Sequence, residues 1–206
     1  VHDLIKEYMT KHQRIIFNGN GYSDEWVAEA ERRGLPNIKS MIEAVDTLTT
    51  EKSVDLFEKF GIFTKTELES RAEVLYETYA KTINIEALTM IDMASKQYVP
   101  AIVKYTKSLA DTVVAVKDAG ADAQVQTEIL KAVNGKLVEV KSALAKLEEV
   151  EAKAAAMDNV KDQAFFYKDI VKTAMGELRA PVDEVEMMVD KKAWPVPSYA
   201  DLMFEV

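Results

Sequence analysis

Residues 158–192 read DNVKDQAFFYKDIVKTAMGELRAPVDEVEMMVDKK. Val160, Ala164, Tyr167, Val171, Ala174, Leu178, Val182, Val185 and Val189 recur at steps of four and three. That spacing places one apolar seam along a helix, of the kind that bundles bury against neighbouring helices. The alternation breaks once, between Leu178 and Val182, across Pro181. Together with Gly176, that proline predicts a bend in the helix.

The same period extends toward the N-terminus. Residues 122–156 carry Val125, Ile129, Val133, Leu137, Val140, Leu144 and Leu147, interrupted only by Gly135. Residues 65–119 hold one proline and no glycine, with Leu68, Ala72, Leu75, Tyr79 and Ile83 on one face. Pro100 predicts a kink inside this stretch. Gly120 and Asp158 mark short connections, which force antiparallel neighbours. A helix over 65–119 would run roughly 80 Å and the two later ones roughly 50 Å each. The expected architecture is all-α, with a three-helix stack over about 86–119, 122–156 and 158–192.

Before residue 65 the elements are shorter. Residues 1–13 read as a helix with Leu4, Ile5 and Met9 on one side, and Arg14–Phe17 as a buried strand or a helix end. Asn18-Gly19-Asn20-Gly21 is a turn, since Asn and Gly accept left-handed backbone at low cost. Ser23 is a candidate N-cap for a helix that stops at Gly34. Short helices follow near 39–48 and 51–60, and Thr64 with Glu67 forms a capping box. Three regions result: a small helical subdomain over 1–64, packed on the longest helix; the bundle over 65–192; and a tail over 193–206. In the tail, Trp194–Pro197 is extended and Ser198 caps a short turn over 199–204. Leu202, Met203 and Phe204 are apolar enough that the end is expected to dock.

Composition agrees with this reading. The 206 residues include 25 alanines, 7 glycines and 5 prolines, a helix-favouring balance. Formal net charge is -9 and the pI about 4.9, which argues against nucleic-acid or anionic-membrane binding. Cys is absent, which removes disulfides, thiolate metal sites and a cysteine nucleophile. No apolar run reaches the roughly 18 residues of a membrane span, so a cytoplasmic location is expected. Val rather than Met at position 1 suggests a piece of a longer chain.

Chemistry is sparse. Phosphate-loop, dinucleotide and HExxH patterns are missing. His2 and His12 lie ten residues apart, unlike a helical metal pair. Glu148, Glu149 and Glu151, and Asp183, Glu184 and Glu186, read as solvated helix faces. Glu86 and Asp92 sit within the apolar stretch 83–94, where buried carboxylates would need hydrogen-bonding partners. Met90, Met93, Met187, Met188 and Met203 read as core filler. Tyr8, Tyr22, Tyr76, Tyr79, Tyr98, Tyr105, Tyr167 and Tyr199 lack the interleaved basic residues of a base-stacking surface. The Asn18–Gly21 turn is the best local candidate for ligand contact through backbone amides, although a plain loop explains it. The residues themselves nominate no catalytic, cofactor-binding or metal position.

Three segments carry a family resemblance. Arg14 through Asn37, RIIFNGNGYSDEWVAEAERRGLPN, resembles the C-terminal region of type III glutamine synthetases, the large bacterial form. Lys81 through Ala94, KTINIEALTMIDMA, looks like a second signature of that region, and Trp194 through Phe204 like its terminus. The resemblance implies a parent that condenses glutamate and ammonia with ATP hydrolysis, using Mg or Mn. Its metal and nucleotide groups would lie in a β-rich catalytic domain that precedes this region. The implied role here is a non-catalytic appendage, with that catalytic domain and further copies of the parent as partners. Two alternatives stay open: a free-standing helical module that binds a partner helix, and a small bundle enzyme built around Glu86 and Asp92.

Overall fold

The computed structural model describes residues 1–204, and they are helical without strands. Four small helices open the chain: α1 (His2–Lys11), α2 (Asp24–Arg32), α3 (Met41–Asp46) and α4 (Glu51–Lys59). Next come α5 (Lys65–Met93) and α6 (Val99–Asp118), joined through a π turn at Ala94–Tyr98 into one continuous rod. The return strokes are α7 (Gln124–Ala155), then α8 (Val160–Phe166) and α9 (Lys172–Glu186), the last two fused by a second π turn at Tyr167–Val171. A single turn, α10 (Tyr199–Phe204), ends the described chain.

Local chemistry sets these boundaries. The Thr64 hydroxyl accepts from the Glu67 amide, and Glu67 accepts from the Thr64 amide at 2.8 Å. Ser40 and Glu43 build the same reciprocal box on α3, so two orphan donors are satisfied at each start. Gly120 adopts φ 78°, which an L side chain resists, and the Ala121 amide reaches back to the Val116 carbonyl at 3.1 Å. This is a Schellman ending, and it turns the chain from α6 into α7.

Pro100 does not break the rod. Proline lacks an N–H and its ring crowds the carbonyl four residues earlier. The widened π turn immediately before it absorbs that demand, with the Val99 amide bonding to the Ala94 carbonyl. Pro181 likewise lies inside α9, which runs on to Glu186.

α7 is the central helix. It packs along both α6 and α9, while α5 packs on α8 and on α7. Val140, Leu144, Leu147 and Ala154 of α7 meet Ala80, Ile83, Ala87 and Ala94 of the rod and Ala164, Tyr167, Val171, Ala174 and Leu178 of the last helix. A smaller cluster of Ile102, Val133, Val185 and Val189 continues the core. Of the nine seam positions over 158–192, all but Val160 are buried. Two seam positions at the front of α7 differ: Val125 and Ile129 are exposed. The cause is length, because α9 stops at Glu186 where helix to 192 was expected, so the α6–α7 tip has no third helix over it.

At the N-terminus, α3 and the 3-10 turn after it pack on α5, with Ile42 and Val45 buried. α4 touches the rod more lightly, and α1 and α2 have no extensive contact with it. Arg14–Phe17 holds a 3-10 turn and then extended chain, not a strand. At the other end Trp194 stacks on Tyr98, with ring centroids 5.1 Å apart, and touches both core clusters. The expected docking of the last turn is corrected: Leu202, Met203 and Phe204 are each more than two-thirds exposed. Glu205 and Val206 lie outside the described residues. The tail is held instead by polar contacts, since Asp201 accepts from the Ser198 amide and hydroxyl, each at 2.8 Å, and pairs with Lys191.

The packing yields a direct contrast. Leu147→Ala removes a fully buried side chain and should cost about 2–5 kcal/mol. Val125→Ala, at an exposed site of the same helix, should stay within about 0.5 kcal/mol. Urea unfolding of the two variants checks the difference.

Candidate functional site

The sequence motif around Asn18–Gly21 folds into a small, tightly tied elbow. Phe17 lies against Trp26, with centroids 4.4 Å apart, and the Arg33 guanidinium sits 5.9 Å from each ring centroid. Arg33 also donates from Nη1 to the Arg14 carbonyl at 3.2 Å and to the Ile16 carbonyl. Its Nε pairs with Glu29 at 2.5 Å, and Glu29 takes two further bonds from Arg32. The rigid guanidinium fork suits this multiple duty, which a lysine could not perform. A Cβ at Gly19 would lie 2.4 Å from Phe17 Cζ, so any larger residue there must displace that ring. The Asn20 side chain accepts from the Tyr22 amide at 3.0 Å, and Ser23 caps α2. Asn20 and Ser23 thus commit their side chains to the geometry of the turn, while Tyr22 stands fully exposed.

Arg32 and Arg33 together hold the Glu29 carboxyl well below its usual 4.5, at about 2. A depressed carboxyl favours the folded form above its ordinary value and loses that advantage as pH falls toward 2.

A second polar cluster joins α3 to the last helix. Asp46 accepts from Tyr76 Oη at 3.0 Å and from Lys161, and Glu43 accepts from Lys168 at 2.6 Å. Lys161 chiefly lowers the Asp46 carboxyl, and burial with Asp46 pushes the Tyr76 phenol up to about 12. Both Asp46 and Lys161 are roughly half exposed, so this clasp orients α3 more than it stabilises it. Deeper in, Asn84 Nδ2 donates to Tyr167 Oη at 2.7 Å and to Glu151 at 2.9 Å, joining α5, α7 and the second π turn.

Glu86, Asp92 and Glu151 fall differently from expectation, whereas Glu148, Glu149, Asp183, Glu184 and Glu186 lie on solvated faces. Glu86 and Asp92 are exposed, not buried, and Asp92 pairs with Lys96 one turn on. The apolar stretch 83–94 buries Ile83, Ala87 and Ala94 only, so both acids sit on the opposite face. Glu149 pairs with Lys153 at 2.6 Å on a solvated face, whereas Glu151 turns inward to Asn84. His2 and His12 are exposed. Met90 and Met93 share a groove of about 300 Å³ with Tyr98, Leu178 and Val182, while Met187 and Met203 project into solvent. Among the described residues no three His, Asp or Glu side chains gather as a metal would need. Nor is any described helix long and apolar enough to cross a membrane. The sequence reading missed the Asp46–Lys161 and Glu43–Lys168 clasp and the Ser40–Glu43 box beside it; such a box could mark the start of α3, but nothing local pairs residues more than a hundred positions apart.

Comparison with known proteins gives this arrangement of helices a family. The sequence matches the glutamine synthetase C-terminal domain family over residues 1–117. It is 38% identical to a glutamine synthetase of Butyrivibrio fibrisolvens, across the whole chain and 30% of that protein. It is 31% identical to a type-3 glutamine synthetase of Dictyostelium discoideum and to a glutamine synthetase of Bacteroides fragilis, over 98% of the chain and 28% of each relative. The chain belongs to the glutamine synthetase C-terminal domain family. It spans less than a third of the length of these relatives.

The elbow makes two predictions. Gly19→Val should open the Phe17–Trp26 contact, because the ring must move to admit the new side chain. In the unaltered protein the contact should persist at neutral pH and loosen as the pH drops below 4.5 toward 2, the interval set by Glu29. The indole N–H resonance of Trp26 in NMR spectra reports both changes.

Proposed function

We propose that this chain is the helical C-terminal domain of an ATP-dependent glutamine synthetase, whose parent joins glutamate and ammonia to form glutamine in the cytoplasm. In this reading the domain is non-catalytic and acts in the structure or assembly of the parent. Its partners are the catalytic domain of the same polypeptide and further copies of the whole. One observation carries the proposal: glutamine synthetases match the chain from end to end, yet it accounts for only 28–30% of their length.

Physical chemistry supports the division of labour. ATP and a divalent cation need clustered oxygen ligands and phosphate-cradling donors. In this reading the nucleotide and Mg or Mn are held elsewhere in the parent, in its catalytic domain. Stiff, seam-packed helices suit a brace. The proposed organisation is a small helical region over 1–64, a bundle over 65–192 and a tail over 193–206.

Deleting residues 14–206 from the full-length parent should lower ATP-dependent glutamine formation and change its sedimentation. A shorter deletion, 39–206, keeps the elbow intact and guards against simple misfolding of the junction. Unchanged kinetics and unchanged sedimentation in both variants would exclude a bracing or assembly role.

A further inference from the structure

α1 leaves its apolar face largely uncovered. Leu4, Ile5, Tyr8 and Met9 form one apolar stripe, and each is more than half exposed, as is Ile15 just beyond. Among the described residues the helix buries no side chain, and it packs chiefly on the short turn Gln13–Ile15 that follows it. A ten-residue helix is marginal in water without tertiary packing. Yet the chain immediately after it is anchored, because Arg33 grips the carbonyls of Arg14 and Ile16. A rigid mount therefore carries a helix whose greasy face has nothing to cover it.

The polar side narrows the choice of occupant. Asp3 and Glu7 interleave with Lys6 and Lys11, so the helix lacks the cationic excess that holds surface helices on anionic lipid. The relatives supply a candidate of sufficient size, since some 70% or more of their length lies outside the region this chain matches. Any part of that remainder is tethered to α1, and tethering raises its effective concentration to roughly the millimolar range.

We propose that α1 is a docking helix whose Leu4–Ile5–Tyr8–Met9 stripe is buried on the remainder of the parent polypeptide, making the joint a packed helix instead of a free linker. The proposal rests on the reading of the chain as one domain of a longer synthetase. The complementary surface is an apolar groove or sheet face rimmed by charges of both signs.

Hydrogen exchange on the full-length parent tests it. Amides over residues 2–11 should exchange at least about a hundredfold more slowly than an unstructured chain. The double variant Leu4→Asp, Tyr8→Asp should lose that protection and open a tryptic cut after Lys6, while residues 133–147 stay protected. Exchange of residues 2–11 near the unstructured rate in the unaltered parent overturns the proposal. So does protection that disappears on dilution, which assigns the stripe to a second copy, or protection that requires phosphatidylserine vesicles. Glutamine formation is measured on the same preparation. A protected α1 in a parent that makes no glutamine preserves the docking and removes the enzymatic reading, whereas an unprotected α1 in an active synthetase does the reverse.

Discussion

Close approach of helix backbones through alanine is the constraint on which this molecule depends. Ala72, Ala80, Ala87 and Ala94 line the rod, and Ala154, Ala164 and Ala174 face them from the return helices, all essentially buried. A methyl group lets neighbouring helices sit close enough for Leu144, Leu147 and Tyr167 to fill the remaining space at interior density. It also costs no side-chain entropy to order. The alanine enrichment is thus a packing device as well as a helix-forming one. Larger residues at these positions would push the helices apart and uncover the leucines between them.

Polar groups are distributed in accordance with that close packing. No charged or polar residue is fully buried among the described residues. The hydroxyl of Tyr167, the most buried tyrosine among the described residues, meets the Asn84 amide, which also binds Glu151. Trp194 is the exception, with a buried Nε1 that finds no acceptor among the described residues, a cost offset by its stacking on Tyr98 and its contacts to both core clusters. Ion pairs such as Asp46–Lys161 stay near the surface, where they set orientation at little energetic expense.

Much of this was legible in the chain itself. The period of the seam over 160–189, the capping box at Thr64 and the stops at Gly34, Gly61 and Gly120 are local signals, and each lands where the structure has it. What escaped was non-local. Whether Glu86 faces core or solvent depends on which side of the rod α7 and α8 occupy, and flanking apolar residues cannot reveal that. The π turns at 94–98 and 167–171 leave no trace in a four-three spacing, because one extra residue in a turn imitates ordinary drift of the stripe. The exposure of Val125 and Ile129 follows from where a different helix ends. The elbow shows the same division: its glycine and asparagine announced a turn, but the grip of Arg33 on Arg14 and Ile16 spans seventeen to nineteen residues.

The π turn before Pro100 has a mechanical consequence. A regular helix resists flexure because every carbonyl is tied to an amide four residues on. Around residues 94–100 that lattice is relaxed, once by the wider ring and once by a proline with no hydrogen to give. Sideways load at the far tip near Gly120 would concentrate there, close to where Trp194 rests on Tyr98. The rod is therefore two stiff arms meeting at a compliant spot, with an aromatic plug seated beside it.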